Sequence, residues 1–283
     1  MSGIYTRKNV GMNGLVENRT EDHINEEWFR NIIDANLYNR IDGFEYKRML
    51  DRANQLKGVD VDAHLGNEHF IIDEKVQTSK LKVKNKRGKF TYLRDGKEYT
   101  VKTACTPTFC FELACCKMSK RQKENNEYHT RCFDIPTKVF GKNRYPGWFL
   151  DANKETEYYV CVWPHNYDVM EAMLISRQDL FDALQNRGMS SGTLIKDLED
   201  ISADAYEAVH KEEFEAAKWK PPLRYYEDCL KNKDGEYDAW FTSSVYNLAE
   251  APINLICKKD FLLSLPHTKH WIMLPNEEEL VEQ

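Results

Sequence analysis

The residues of this chain best suited to chemistry are Asp60, Asp73 and Lys75. Asp73-Glu74-Lys75 lies inside His69-Phe70-Ile71-Ile72-Asp73-Glu74-Lys75-Val76-Gln77, whose isoleucines, phenylalanine and valine mark a strand. Side chains alternate across a strand, so Asp73, Lys75 and Gln77 share one face and Phe70, Ile72, Glu74 and Val76 take the other. A second apolar-acidic segment, Gly58-Val59-Asp60-Val61-Asp62, precedes it. Two neighbouring strands bearing an Asp and an Asp-x-Lys can hold a divalent cation with carboxylate oxygens and activate a water. Lys75 would then orient that water or stabilise developing negative charge, and Gln77 could bond substrate or water farther along the same face. Such an arrangement suits phosphodiester hydrolysis, which needs a nucleophilic water, a sink for negative charge and help for the leaving oxygen.

These residues need elements to position them. Trp28, Phe29, Ile32, Ile33, Leu37 and Ile41 recur at helical spacing from Asn25, with Glu26 and Glu27 in the first turn. The sequence predicts a second helix from Phe44 to Lys57, closed by Gly58, and then two strands over about Val59–His64 and His69–Ser79. Residues 80–103 read as an inserted basic hairpin with Arg94-Asp95-Gly96-Lys97 as its turn. Further strands are expected at Thr108–Leu113, Gly147–Leu150 and Glu157–Trp163. In the first of these the phenylalanines share a face with Leu113, and Glu112 lies opposite, either paired with a basic side chain or joining a metal shell. Trp148 and Trp163 read as core. Ser176 caps a helix running through Leu180, Phe181 and Leu184; residues 192–218 read as helical, and 237–274 as strands and turns.

The balance of charge supports a polyanionic partner. The net charge is −6, yet residues 75–144 hold 18 Lys/Arg against 6 Asp/Glu, a local excess of +12 that leaves −18 for the rest. A basic third that begins at the acidic cluster suggests a surface for nucleic acid, with Lys80, Lys82, Lys84, Lys86 and Arg87 as phosphate contacts. No stretch approaches the roughly 20 apolar residues of a membrane helix, and Met1–Lys8 has no apolar signal core, so no membrane partner and a cytoplasmic location are expected. The eight cysteines lie largely in strand-like apolar surroundings and read as reduced thiols. Cys115, Cys116, His129 and Cys132 lack the paired knuckle spacing of a structural zinc site.

Asp60 followed by Asp73-Glu74-Lys75 resembles the PD-(D/E)XK, or restriction-endonuclease-like, nuclease superfamily. The likeness extends over roughly residues 25–185 and is similar to an uncharacterised bacterial and phage subgroup, in which the later segment Pro107–Leu113 and the pair Trp148-Phe149 ahead of the Tyr158–Trp163 strand follow the same layout. No proline precedes Asp60, and Asp62 shares its face, so either acid could be the first ligand; Asp60 is favoured by its place after Gly58-Val59. The resemblance implies an α/β fold with a restriction-endonuclease-like core: a mixed, mainly antiparallel central sheet flanked by helices. It implies a Mg²⁺- or Mn²⁺-dependent nuclease acting on nucleic acid, most readily DNA, with Asp60 and Asp73 as metal ligands and Lys75, Gln77 and Glu45 assisting. Many members work as homodimers, which makes a homodimer an expectation here. The alternative is a catalytically inactive nucleic-acid-binding or protein-interaction factor on the same fold. The implied organisation is a polar arm over residues 1–21, a nuclease-like core over 22–190 carrying the 80–103 insertion, and a C-terminal α+β extension over 191–283.

Overall fold

The computed structural model describes residues 27–77, 80–81, 83–115, 145–189, 194, 196, 198, 223–243, 253–277 and 280–283. The first helix, α1 (27–36), buries Phe29 and Ile33 on one stripe, which continues into Leu37 and the 3-10 turn Tyr38–Arg40. It packs on one face of a seven-stranded sheet.

Phe44–Arg48 forms strand β1 and not the start of a helix. Phe44 and Tyr46 pack on the core while Glu45 and Lys47 are exposed, a period of two that a helix could not satisfy. The helical part of the expected run is confined to α2 (Arg52–Leu56), opened by Asp51, whose carboxylate accepts from the Asn54 N–H at 3.0 Å. Strands β2 (Val61–Leu65) and β3 (Glu68–Val76) follow as a hairpin across Gly66-Asn67.

Strands β4 (Gly88–Arg94) and β5 (Lys97–Thr103) pair as the expected hairpin, turning at Asp95-Gly96. Phe90 and Tyr92 bury its inner side against Ile272 and Leu274. Strand β6 (Thr108–Cys115) pairs with the short β7 (Tyr145–Pro146). The expected strand over Gly147–Leu150 is a tight turn: the Gly147 and Phe149 N–H groups donate to the carbonyls of Leu113 and Glu112 at 2.8 and 3.1 Å. A β-carbon at position 147 would collide with the Glu112 carbonyl, so only glycine lets the chain fold back so closely.

Strands β8 (Tyr158–Pro164) and β9 (Met170–Ser176) lead into α3 (Arg177–Asn186). As expected, Ser176 caps α3, its hydroxyl accepting from the Asp179 N–H at 3.2 Å. The remainder supplies β10 (Leu223–Lys231), β11 (Tyr237–Ser243), β12 (Ile253–Lys258), helix α4 (Lys259–Leu263), β13 (Lys269–Met273) and β14 (Leu280–Glu282).

The protein is thus mixed α/β, with few helices among the described residues; most of the helical run expected over 192–218 lies outside them. The large sheet runs β1-β2-β3-β8-β9-β13-β14, and its β3–β8 junction is parallel among antiparallel neighbours. A second sheet runs β10-β11-β12-β6-β7. Strand alternation sends Val160 and Val162 of β8 to the α1 side, and Tyr159, Cys161 and Trp163 to the second sheet. That second layer is closed by Phe109, Phe111 and Leu113 of β6 with Ile253, Leu255 and Cys257 of β12. The large sheet therefore carries helix on one face and mainly sheet on the other. Residues 223–283 contribute strands to both sheets, through β12 beside β6 and β13 beside β9. Among the described residues no helix is long and apolar enough to cross a membrane.

Candidate active site

The β2–β3 ribbon sets the geometry. Asp60 enters it with its N–H donating to the Ile72 carbonyl at 2.9 Å, and its carboxylate accepts from the Glu74 N–H at 2.9 Å. This pins Asp60 beside Asp73, and each carboxyl shifts the titration of the other. Lys75, two residues along the same face, places Nζ 2.5 Å from Asp73 Oδ1. The three groups picked out by sequence pattern converge.

The charges explain one another. Asp73 is almost wholly buried, and burial is the main force raising its carboxyl to about 6; Lys75 opposes this and Asp60 reinforces it. Asp60 is also penalised by burial, but the charge of Lys75, the Glu74 N–H and the neighbouring Asp73 carboxyl hold it below the usual carboxylate range. Burial disfavours the charged Lys75, yet Asp73 and Asp60 together raise its pKa above the ordinary value. Adjacent carboxyls offer hard oxygen donors of the kind that suits Mg²⁺ or Mn²⁺. Asp60 and Asp73 would hold that ion.

Glu74 points to the opposite face. Its carboxylate accepts from Tyr38 Oη at 2.8 Å and from Arg48 at 2.9 and 3.1 Å, and Arg48 also bonds Asp34. Burial raises the Glu74 carboxyl, against the pull of Arg48. Its role is to tie β3 to β1 and α1, which fixes the strand that carries Asp73 and Lys75.

Two groups on the sequence-derived list lie outside the cluster. Glu45 is exposed on β1 opposite His64, four positions along β2 from Asp60. The Gln77 amide donates to the Thr108 carbonyl at 2.8 Å and accepts from the Thr106 N–H at 3.4 Å, so it anchors the start of β6. Asp62 turns to His69 at 2.8 Å, which leaves Asp60 as the acid beside Asp73. Of the basic residues, Lys84 and Arg87 are exposed, Lys80 is half-buried, and Lys86 donates to the His165 carbonyl at 2.5 Å. Lys82 lies outside the described residues, as do Cys116, His129 and Cys132.

Sequence reasoning missed three contributors. Trp148, read as core, lies under the Lys75 ammonium, 4.8 Å from Nζ to the ring centroid. Lys154 crosses beside Gly58 and donates to the Leu56 carbonyl at 2.7 Å; burial lowers its pKa, while Asp73 and Asp151 pull the other way. Arg177, buried at the start of α3, donates to the carbonyls of Phe149, Asp151, Lys154 and Thr156 and so knits the 149–156 loop, which carries Lys154 and begins directly after Trp148. Trp148 carries a faint signal, since it follows Pro146-Gly147 at a turn. Lys154 and Arg177 carry none, because the carbonyls they bond are brought near only by the tertiary fold.

A scan against protein-family models finds no match for this chain, and searches among curated proteins and solved structures also find none.

Proposed function

We propose that this protein is a metal-dependent nuclease that hydrolyses phosphodiester bonds, with DNA as its substrate. The observation that carries the reading is the convergence of Asp60, Asp73 and Lys75 at one end of the β2–β3 ribbon. The order of the elements agrees with it. A helix and a three-stranded antiparallel meander are followed by a parallel strand, as in the restriction-endonuclease-like core that the motif resembles. The crossover between β3 and β8 is the departure, since it carries strands β4 to β7.

A bound Mg²⁺ or Mn²⁺ would supply Lewis-acid polarisation of the phosphate and a more acidic water. The residues of the chain divide the remaining work. Asp60, held ionised by its neighbours, and Asp73, once deprotonated, would supply oxygens to hold the cation. Lys75 stays protonated and is held by Asp73 and the Trp148 ring, so its ammonium is aimed before substrate arrives and can stabilise charge developing on a phosphate oxygen. Buried Asp73 and the enclosing 149–156 loop keep the local dielectric low, which strengthens each of these interactions. The exposed Lys84 and Arg87, in the segment that leaves β3, would hold the phosphate backbone without reading sequence.

The test is cleavage of single-stranded, duplex and branched DNA, and of RNA, with Mg²⁺ or Mn²⁺. Asp73→Asn and Lys75→Ala should each lower cleavage by about 100-fold or more. Full activity in either variant rejects the assignment. Salt-sensitive binding with no cleavage of any substrate would favour a nucleic-acid-binding factor in which Asp73 and Lys75 form only a structural ion pair.

A further inference from the structure

The face of the β2–β3 ribbon that carries Asp60 and Asp73 continues past them. Asp62 and His64 follow on β2, and His69 stands directly across from His64 on β3. The imidazoles of His64 and His69 stack with centroids 4.5 Å apart and planes 19° from parallel. Asp62 Oδ1 lies 2.8 Å from His69 Nε2 and 3.9 Å from His64 Nε2. One ligand atom from each of the three residues falls within 4.8 Å of the others.

We propose that Asp62, His64 and His69 form a binding site for a borderline divalent transition metal, Zn²⁺ foremost, distinct from the Asp60–Asp73 pair. Two imidazoles and a carboxylate are the donor set that suits zinc, whereas Mg²⁺ and Mn²⁺ favour oxygen ligands. A short hairpin already fixes all three side chains on one side of a paired ribbon, so little backbone order need be lost on binding. The side chains are 57% (His64), 46% (His69) and 39% (Asp62) exposed, which leaves an entry path and room for water or another ligand at the open coordination position. Glu45 and Lys47 stand opposite His64 and Asp62 on β1 and border the site on its outer edge. Strand spacing sets this centre roughly 7–13 Å along the ribbon from Asp60 and Asp73. That is too far for one ion to serve both. The competing account is an ordinary exposed ion pair between Asp62 and His69, which predicts no metal affinity.

The experiment titrates metal-stripped, untagged full-length protein with Zn²⁺ against a chromophoric chelator, and with Co²⁺ by visible absorption. A tight equivalent of Zn²⁺ is expected, weakened by about 100-fold or more in His64→Gln and in His69→Gln, each loss at or beyond the upper end of what removing a supporting group costs. Asp73→Asn should bind Zn²⁺ as the parent does, which separates this centre from the proposed nuclease site. Unchanged melting temperatures for the two exposed histidine substitutions would show that the fold persists. The proposal is overturned if no equivalent binds, if the equivalent survives in the His64→Gln/His69→Gln double variant, or if it vanishes in Asp73→Asn.

Discussion

Lys75 Nζ sits 2.5 Å from Asp73 Oδ1, two residues away on the same strand face, and both groups are largely buried. An ion pair in such surroundings is costly to assemble and weakly stabilising relative to apolar residues.

The protonation of Asp73 makes metal-free stability depend on pH. Burial raises this carboxyl to about 6, opposed by Lys75 and reinforced by Asp60. An unfolded aspartate loses its proton near about 3.9. Between those values the native state holds more protons than the unfolded one, so this contribution is fully present below about pH 4 and is lost as pH rises through about 6. Asp73→Asn cannot ionise. Its stability relative to the parent should therefore rise by about 1–3 kcal/mol from pH 4 to pH 7 without divalent cation. Urea unfolding across that range measures the difference, and a flat difference would refute the assigned protonation. Cleavage should climb over the same window as Asp73 becomes free to accept a cation.

Gly58 is the tight spot beside the site. Its φ is +72°, and a β-carbon there would lie 2.5 Å from Thr156 Oγ1 and 3.5 Å from Asp73 Oδ2. Gly58→Ala should cost about 1–3 kcal/mol through backbone strain and displacement of Thr156, whose hydroxyl donates to the Gly58 carbonyl at 2.7 Å. Thermal melting and Mg²⁺-dependent cleavage should both decline, whereas an exposed change such as Lys84→Ala leaves the melting temperature alone. A Gly58→Ala protein that melts with the parent would contradict this packing.

A second buried charge cluster lies under the β4–β5 hairpin. Glu171 is fully buried and its carboxyl is lowered to about 2; burial works against this, and hydrogen bonds with His165 and His270 and the charge of Lys259 outweigh it. The unfolded glutamate titrates near about 4.3, so the contribution is present above that value and is lost as pH falls through about 2. Glu171→Gln should cost about 3 kcal/mol at pH 7, and the cost should fade towards pH 2. The same substitution should leave cleavage per folded molecule unchanged.

Local patterns were legible where neighbours in sequence are neighbours in space. The Asp60–Asp73–Lys75 cluster belongs to one hairpin, and strand alternation alone put Asp73 and Lys75 on a common face with Glu74 opposite. The β4–β5 hairpin and the Ser176 cap were readable for the same reason. Phe44–Arg48 was misread because five residues of alternation run straight into the polar α2, and the joint stretch mimics an amphipathic helix. The Gly147–Leu150 turn was misread because Trp148, Phe149 and Leu150 have strand-forming side chains, while close approach to Glu112 decides the backbone. Assignment to two sheets could not be read at all. It depends on which distant strand covers which edge, and alternation carries no record of that.

The place of β12 between β11 and β6 has a kinetic consequence. During synthesis the β2–β3 hairpin can close as soon as it emerges, but β6 waits for residues 253–258 before that edge is capped. Until then its row of unpaired amides is open to foreign strands, so the nascent polypeptide should be most prone to aggregate late in translation and to need chaperone protection over that interval.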